Sequence, residues 1–229
     1  MDYHPGMDAL LGIGLRLLHD IHWCRVLGIR WQRGLPPVLV ILALIAWIGM
    51  GRDGYGIAAG LIGMAAVVGF GPWVAQRHFY VVFRPEAVLP PVAVQPLIPT
   101  DKVPVRVSGR LGVEGREQVF TELPGYYRTY ASREHAVLAR KTPRRGRICR
   151  EDDPDRMGMW YLFISPAELV RVDPGRLYFG VHGRPALRLY YRRRDRHGRA
   201  TNAIAFLSFA DEADRSRVRG DLLYDRGPS

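Results

Sequence analysis

Lysine is almost missing from this chain. Lys102 and Lys141 are the only two, so nearly all of its 33 basic charges are arginine. Cysteine is equally scarce. Cys24 and Cys149 lie far apart, neither in a C-x-x-C pair. That spacing excludes a disulfide framework and a paired-thiolate metal site, and free thiols in a reducing compartment are expected. Catalytic signatures are lacking as well. Ser108, Ser132, Ser165 and Ser208 sit in no G-x-S-x-G setting, and no glycine-rich phosphate loop occurs. Glu134 and His135 are neighbours on a strand pattern and so point to opposite faces. His182 and His197 fall near turns. Cys149 has arginines around it (RRGRICRED), which favour a thiolate, but no base accompanies it. No enzyme, cofactor or metal is expected.

Charge is absent from two long stretches, residues 35–51 (LPPVLVILALIAWIGMG) and 55–75 (YGIAAGLIGMAAVVGFGPWVA). A bilayer is crossed by ~20 mostly apolar residues, and its interior demands a helix. The two runs therefore predict a transmembrane hairpin over residues 35–75, turning at Gly51-Arg52-Asp53-Gly54. Pro36 and Pro37 are placed in the first helical turn, where a missing N–H costs least. Small residues recur at four-residue intervals in the second run: Gly56 and Gly60, Ala59 and Gly63, Ala65 and Gly69. That pattern predicts close helix packing, against the first span or against a partner's helix. Arg16, Arg25, Arg30 and Arg33 precede the hairpin, and Arg77 and Arg84 follow it. The positive-inside rule then places both termini in the cytoplasm of a multi-pass inner-membrane protein.

Residues 1–34 hold an amphipathic segment. Leu10, Ile13, Gly14, Leu17, Ile21 and Cys24 recur at helical spacing, and Asp8 is a candidate N-cap. Arg16, Asp20 and Arg25 argue against a third span, so a helix lying in the membrane interface is expected, with Trp23 and Trp31 at headgroup depth. A helix packed on the soluble domain is the alternative. His19, His22 and Cys24 form no complete ligand set.

Residues 76–101 form a proline-rich connector, with a short strand in HFYVVF (78–83). Residues 102–229 read as a β-rich cytoplasmic domain. Val103, Val105 and Val107 alternate with polar neighbours, and further strands are expected at 118–123, 126–130, 135–139, 160–164, 168–172, 177–181, 186–191 and 203–209. Asp173-Pro174-Gly175-Arg176 reads as a turn between two of them. Residues 142–154 read as a long polar loop, and 211–224 as a closing amphipathic helix.

Strand hairpins followed by one C-terminal helix, with PALRLYY (185–191), AIAFLSF (203–209) and Asp214-Arg215, resemble the small bacterial membrane proteins that carry a pleckstrin-homology-like β-domain after a two-helix hairpin. The resemblance implies a membrane α-hairpin plus a mostly β, α+β domain: a barrel or sandwich with a C-terminal helix. VPVRVSGRLGV (103–113) and PGYYRTY (124–130) are also similar to the β-domain between the two membrane helices of a mitochondrial E3-ligase family. No RING cysteines follow here, so no ligase activity is implied.

From Gln76 onward, 28 Lys and Arg face 18 Asp and Glu. The surplus gathers at Arg144, Arg145 and Arg147 and at Arg192, Arg193, Arg194 and Arg196. Beside a membrane, such clusters suit acidic faces of membrane-protein subunits or anionic lipid headgroups, and nucleic acid less. The expected function is a non-catalytic, membrane-anchored scaffold or accessory subunit of a larger complex. An anionic-lipid binding module is the alternative, and a small membrane enzyme the second.

Overall fold

A computed structural model describes residues 5–26, 29–86, 97–113, 116–130, 135–141, 158–165, 167–194 and 200–224. The fold joins a helical region to an eight-stranded antiparallel sheet, an α+β arrangement. Helix α1 spans Pro5–Trp23 and leads into a two-residue-per-strand ribbon, β1 (Arg25–Val26) and β2 (Ile29–Arg30). Helices α2 (Trp31–Met50) and α3 (Gly54–Arg77) follow, separated by one 3-10 turn at Gly51–Asp53. Among the described residues one helical stretch, Trp31–Arg77, is long and apolar enough to cross a membrane, and only 11% of its most apolar window is buried within the fold.

That stretch folds back on itself at the 3-10 turn. Gln32 Nε2 near the start of α2 donates to the Gly69 carbonyl near the end of α3, at 3.3 Å. At the other end the Trp47 and Tyr55 rings lie 6.5 Å apart. Gly54 is required by this turn: a Cβ there would stand 2.3 Å from the Ala46 carbonyl oxygen. The expected helix start is corrected. The helix begins at Trp31, so Pro36 and Pro37 lie inside it, and the carbonyls of Gln32 and Arg33 lose their usual donors four residues on.

The sheet order is β3-β8-β9-β10-β4-β5-β6-β7. Strands β4 (Val103–Val113), β5 (Arg116–Thr129), β6 (His135–Lys141) and β7 (Gly158–Ile164) form one meander. Strands β8 (Leu169–Tyr178), β9 (Gly183–Arg194) and β10 (Ala200–Ser208) form a second, and β10 joins it to β4. Helix α4 (Glu212–Tyr224) seals the core. Val218 and Leu222 of α4 pack with Val103, Val105, Val107, Leu187, Leu189 and Leu207, the inward set that alternation singles out. Tyr127 closes the same core and donates to Asp221 Oδ2 at 2.6 Å.

Two expected breaks do not occur. The Asp173–Arg176 segment is not a turn; β8 runs straight through it. Arg171 and Arg188 both hold the Asp173 carboxylate. Pro174 precedes the four residues that pair with β3 (Val82–Pro85), an edge position where proline is tolerated. Gly175 lets β3 approach, since a Cβ would meet the Arg84 oxygen at 2.2 Å. Likewise β5 continues through Pro124 and Gly125, where two strands were expected. In the connector, the short strand expected at 78–83 lies at Val82–Pro85, at the edge of the sheet, and residues 87–96 lie outside the described residues.

Candidate functional site: the joint between helices and sheet

The most constrained part of the molecule is where α1 and the end of α3 meet the outer face of the sheet. Helix α3 stops at Arg77, and the next turn holds Phe79 (φ 56°) and Tyr80 (φ 58°) in the left-handed region. Glycine normally takes such positions, and a bulky residue there costs about 1–3 kcal/mol. Side-chain contacts hold both in place. Tyr80 is fully buried. Its hydroxyl donates to the Pro72 carbonyl at 2.9 Å and lies 2.7 Å from His22 Nδ1. Phe79 packs on Phe206, and its carbonyl accepts from Thr121 Oγ1 at 3.0 Å. Phe83 meets the same Phe206 at a tilt, ring centres 5.4 Å apart, and Arg188 lies over the Phe83 ring at 4.7 Å.

Helix α1 is fastened to the same place. Asp8 is buried inside the helix rather than capping it, because the helix starts at Pro5. Both its oxygens accept from Arg84 on β3, at 2.7–3.0 Å. Four residues on, the Gly12 carbonyl accepts from Gly180 N–H at 2.9 Å. A Cβ on Gly12 would stand 2.4 Å from the Gly180 oxygen, so this contact needs glycine. Arg16 lies over Phe179, and His19 meets Phe179 and Tyr80 edge-on. The apolar face read along α1 is split, with Ile21 and Cys24 buried. Leu10, Ile13 and Leu17 are exposed, while Asp8, Gly12 and His22 turn inward. Cys24 is disulfide-bonded, which corrects the expectation of free thiols; the other cysteine, Cys149, lies outside the described residues.

Sequence reasoning passed over a second feature of this face. Between Val107 and Gly109 the β4–β5 register shifts, so Ser108 opposes two residues, Thr121 and Glu122. Such a bulge turns both toward the same side. Glu122 itself has φ 49°. Its N–H donates to Ser108 Oγ at 2.8 Å, and its Oε1 accepts from Ser208 Oγ at 2.8 Å. Arg106 and Arg184 flank its Oε2, each at 3.9 Å. Burial pushes the Glu122 carboxyl above its ordinary value, and the Ser208 hydrogen bond and the two guanidiniums only partly oppose that. No sequence signal could have assembled Glu122 with Ser108 and Ser208, which come from three strands. Both hydroxyls are committed to Glu122. Among the described residues no cluster of His, Cys, Asp or Glu is placed to hold a metal.

The arginine clusters lie elsewhere. Arg144, Arg145, Arg147 and Arg196 are outside the described residues. Arg192, Arg193 and Arg194 end strand β9, paired with Asn202, Thr201 and Ala200. Consecutive strand residues alternate faces, so exposed Arg192 and half-buried Arg193 do not form one patch. Of the small-residue pattern, Gly69 meets α2, 4.0 Å from Pro36 Cγ, but Gly56, Gly60 and Gly63 are exposed with open space beyond their Cα atoms. Ala58, Ala65, Val68, Pro72 and Ala75 form the buried side of α3 instead.

Neither protein-family models nor curated protein sequences match this chain.

Proposed function

We propose that this chain is a non-catalytic membrane-anchored scaffold or accessory subunit. In this reading α2 and α3 cross the bilayer as a hairpin, and the sheet with its C-terminal helix is a pleckstrin-homology-like platform for partner subunits. The observation that carries it is the joint. Asp8–Arg84 and Gly12–Gly180 tie α1 to the sheet and His22–Tyr80 ties α1 to the turn that ends α3, so α1 links the platform to an apolar helix pair that is mostly exposed among the described residues. A fixed platform suits docking at a set height and angle. The two consecutive meanders, β4 paired with β10, and the capping helix support the pleckstrin-homology-like reading.

The far end of β9 is the docking end. From Gly183, beside α1, to Arg192 is nine strand steps, about 30 Å. In this reading Arg192 and Arg193, at the other end of the strand, serve an acidic protein face. The six arginines flanking the hairpin support an orientation with both termini in the cytoplasm. Purification in mild detergent tests the scaffold reading. Stoichiometric membrane subunits should co-purify, and a clean monomer in several mild detergents refutes it.

One observation favours a second reading, contact with anionic headgroups. Arg106 and Arg184 are half-exposed beside Glu122, and the adjacent Thr121 bonds to Phe79, two residues beyond the end of α3. Vesicle reconstitution with and without phosphatidylglycerol tests it. Unchanged protection of this face in hydrogen exchange removes the reading.

A further inference from the structure

Helices α1 and α3 touch closely at one point. A Cβ on Gly71 would stand 3.0 Å from Leu18 Cδ2. Beside this contact runs an open groove of about 510 Å³, with Leu15 and Leu18 on one wall and Ala66, Phe70 and Val74 on the other, and His78 at one end. From Ala66 to His78 is twelve residues, about 18 Å of helix. One leaflet of a bilayer's hydrocarbon core is about 15 Å deep. The α3 wall of the groove therefore has about the length of one lipid tail in one leaflet, and Leu15 and Leu18 flank one turn of it. Next to His78 in the chain is Arg77, whose guanidinium lies over the Trp73 ring at 4.0 Å. A cation and an aromatic ring together mark headgroup depth. The outer side of α1 continues the apolar surface, with Leu10 70% and Leu17 60% exposed.

We propose that this groove is a phospholipid site, taking one acyl chain along its length and the phosphate at the Arg77–His78 end. The inference rests on the membrane-spanning reading of α2 and α3. The occupant follows from the lining. A peptide strand would bring backbone N–H and C=O groups that apolar walls cannot satisfy. An acyl chain brings no such groups. It also lets α1 sit flat at the interface, with its polar side on the sheet and its apolar side in lipid.

Native mass spectrometry of the full-length chain, extracted in mild detergent, tests the site by counting retained phospholipid. Ala66→Trp and Val67→Trp fill the groove from exposed positions of α3. Ile45→Trp adds the same bulk on α2, away from it. Wild type and Ile45→Trp should each keep one phospholipid per chain, and the two groove variants should lose it at least fivefold. Equal occupancy in all four proteins overturns the proposal, as does a wild type that keeps none. Carbonate washing of the source vesicles separates the two claims. Release of the intact chain overturns membrane spanning and the groove site with it; a retained chain whose lipid count ignores Ala66→Trp and Val67→Trp overturns the groove alone.

Discussion

The Tyr80 hydroxyl joins two helices: it lies 2.7 Å from His22 Nδ1 on α1 and 2.9 Å from the Pro72 carbonyl on α3. A phenol has one proton. Since that proton goes to Pro72, His22 must donate from Nδ1. Replacing Tyr80 by Phe leaves a buried carbonyl and a buried imidazole N–H without this partner, and it weakens the hold on a left-handed backbone. Each of the two hydrogen bonds lost is worth about 0.5–1.5 kcal/mol, and the loosened backbone adds to that. Tyr80→Phe should destabilise the chain by about 2–3 kcal/mol in detergent-titration unfolding. A loss below about 0.5 kcal/mol would show that the joint is held by apolar packing alone.

Gly12 and Gly14 make a matched pair of probes on α1. An added methyl at Gly12 runs into the Gly180 backbone, whereas at Gly14 it meets nothing within 4 Å. Alanine is the better helix former by about 1 kcal/mol, so propensity favours both changes equally. Gly14→Ala should be neutral or stabilising, while Gly12→Ala should free α1 from the sheet. Hydrogen exchange at the Gly180 amide reads the difference, since that amide is the donor that would be released.

Much of the architecture was legible in the chain because periodicity carried it. Val103, Val105 and Val107 alternate and all three are buried; Val218 and Leu222 are buried on the last helix. The uncharged stretch announced its helices in the same way. Local turn chemistry misled where tertiary contacts overrode it. Asp173-Pro174-Gly175-Arg176 stays extended because two arginines hold Asp173 and β3 needs the space at Gly175. The apolar face of α1 was read as turned to the membrane interface; Leu10, Ile13 and Leu17 are exposed, but Ile21 and Cys24 are buried. Its polar residues face the sheet because Arg84 and Tyr80, more than fifty residues away in sequence, supply their partners. The Glu122 cluster was invisible for the same reason, being assembled from three strands.

Glu122 gives a pH signature. Its folded carboxyl titrates above its ordinary value, chiefly through burial, so the folded state holds this proton more tightly than the unfolded state. The contribution is full below the unfolded value, about 4.3, and is lost as pH rises through the folded value. Glu122→Gln keeps an acceptor for Ser208 and removes the titration. The variant should gain on wild type as pH rises from 4.5 to 7.5. Asp173 works oppositely. Burial raises its carboxyl, but hydrogen bonds and charge from Arg171 and Arg188 outweigh that and lower it overall. Its stabilisation is present above about 3.9 and fades on further acidification. An unchanging difference between Glu122→Gln and wild type across the range would refute the buried-acid account.

The state of Cys24 bears on orientation. A disulfide there belongs with an oxidising compartment, against the six flanking arginines that favour cytoplasmic termini. Maleimide labelling of the chain unfolded in detergent, with and without prior reduction, should modify Cys24 only after reduction. An affinity tag inserted at Arg52 then reports which side the 3-10 turn faces. A tag reachable only from inside the cell would reverse the orientation and bring it into line with the disulfide.

Arg192 lies at the end of β9 opposite Gly183, which lets one experiment separate partner docking from anchoring. Arg192→Glu reverses an exposed charge at the end of β9, touching neither the joint nor the helices. A like-charge contact in place of an attractive one costs several kcal/mol against an acidic face, enough to lose a partner from a mild-detergent preparation. Membrane retention should be unaffected, because nothing in α2 or α3 changes. Full co-purification of partners with Arg192→Glu would move docking to another surface. A chain lost from the membrane would instead show that this end of the sheet, and not the helices alone, holds the protein there.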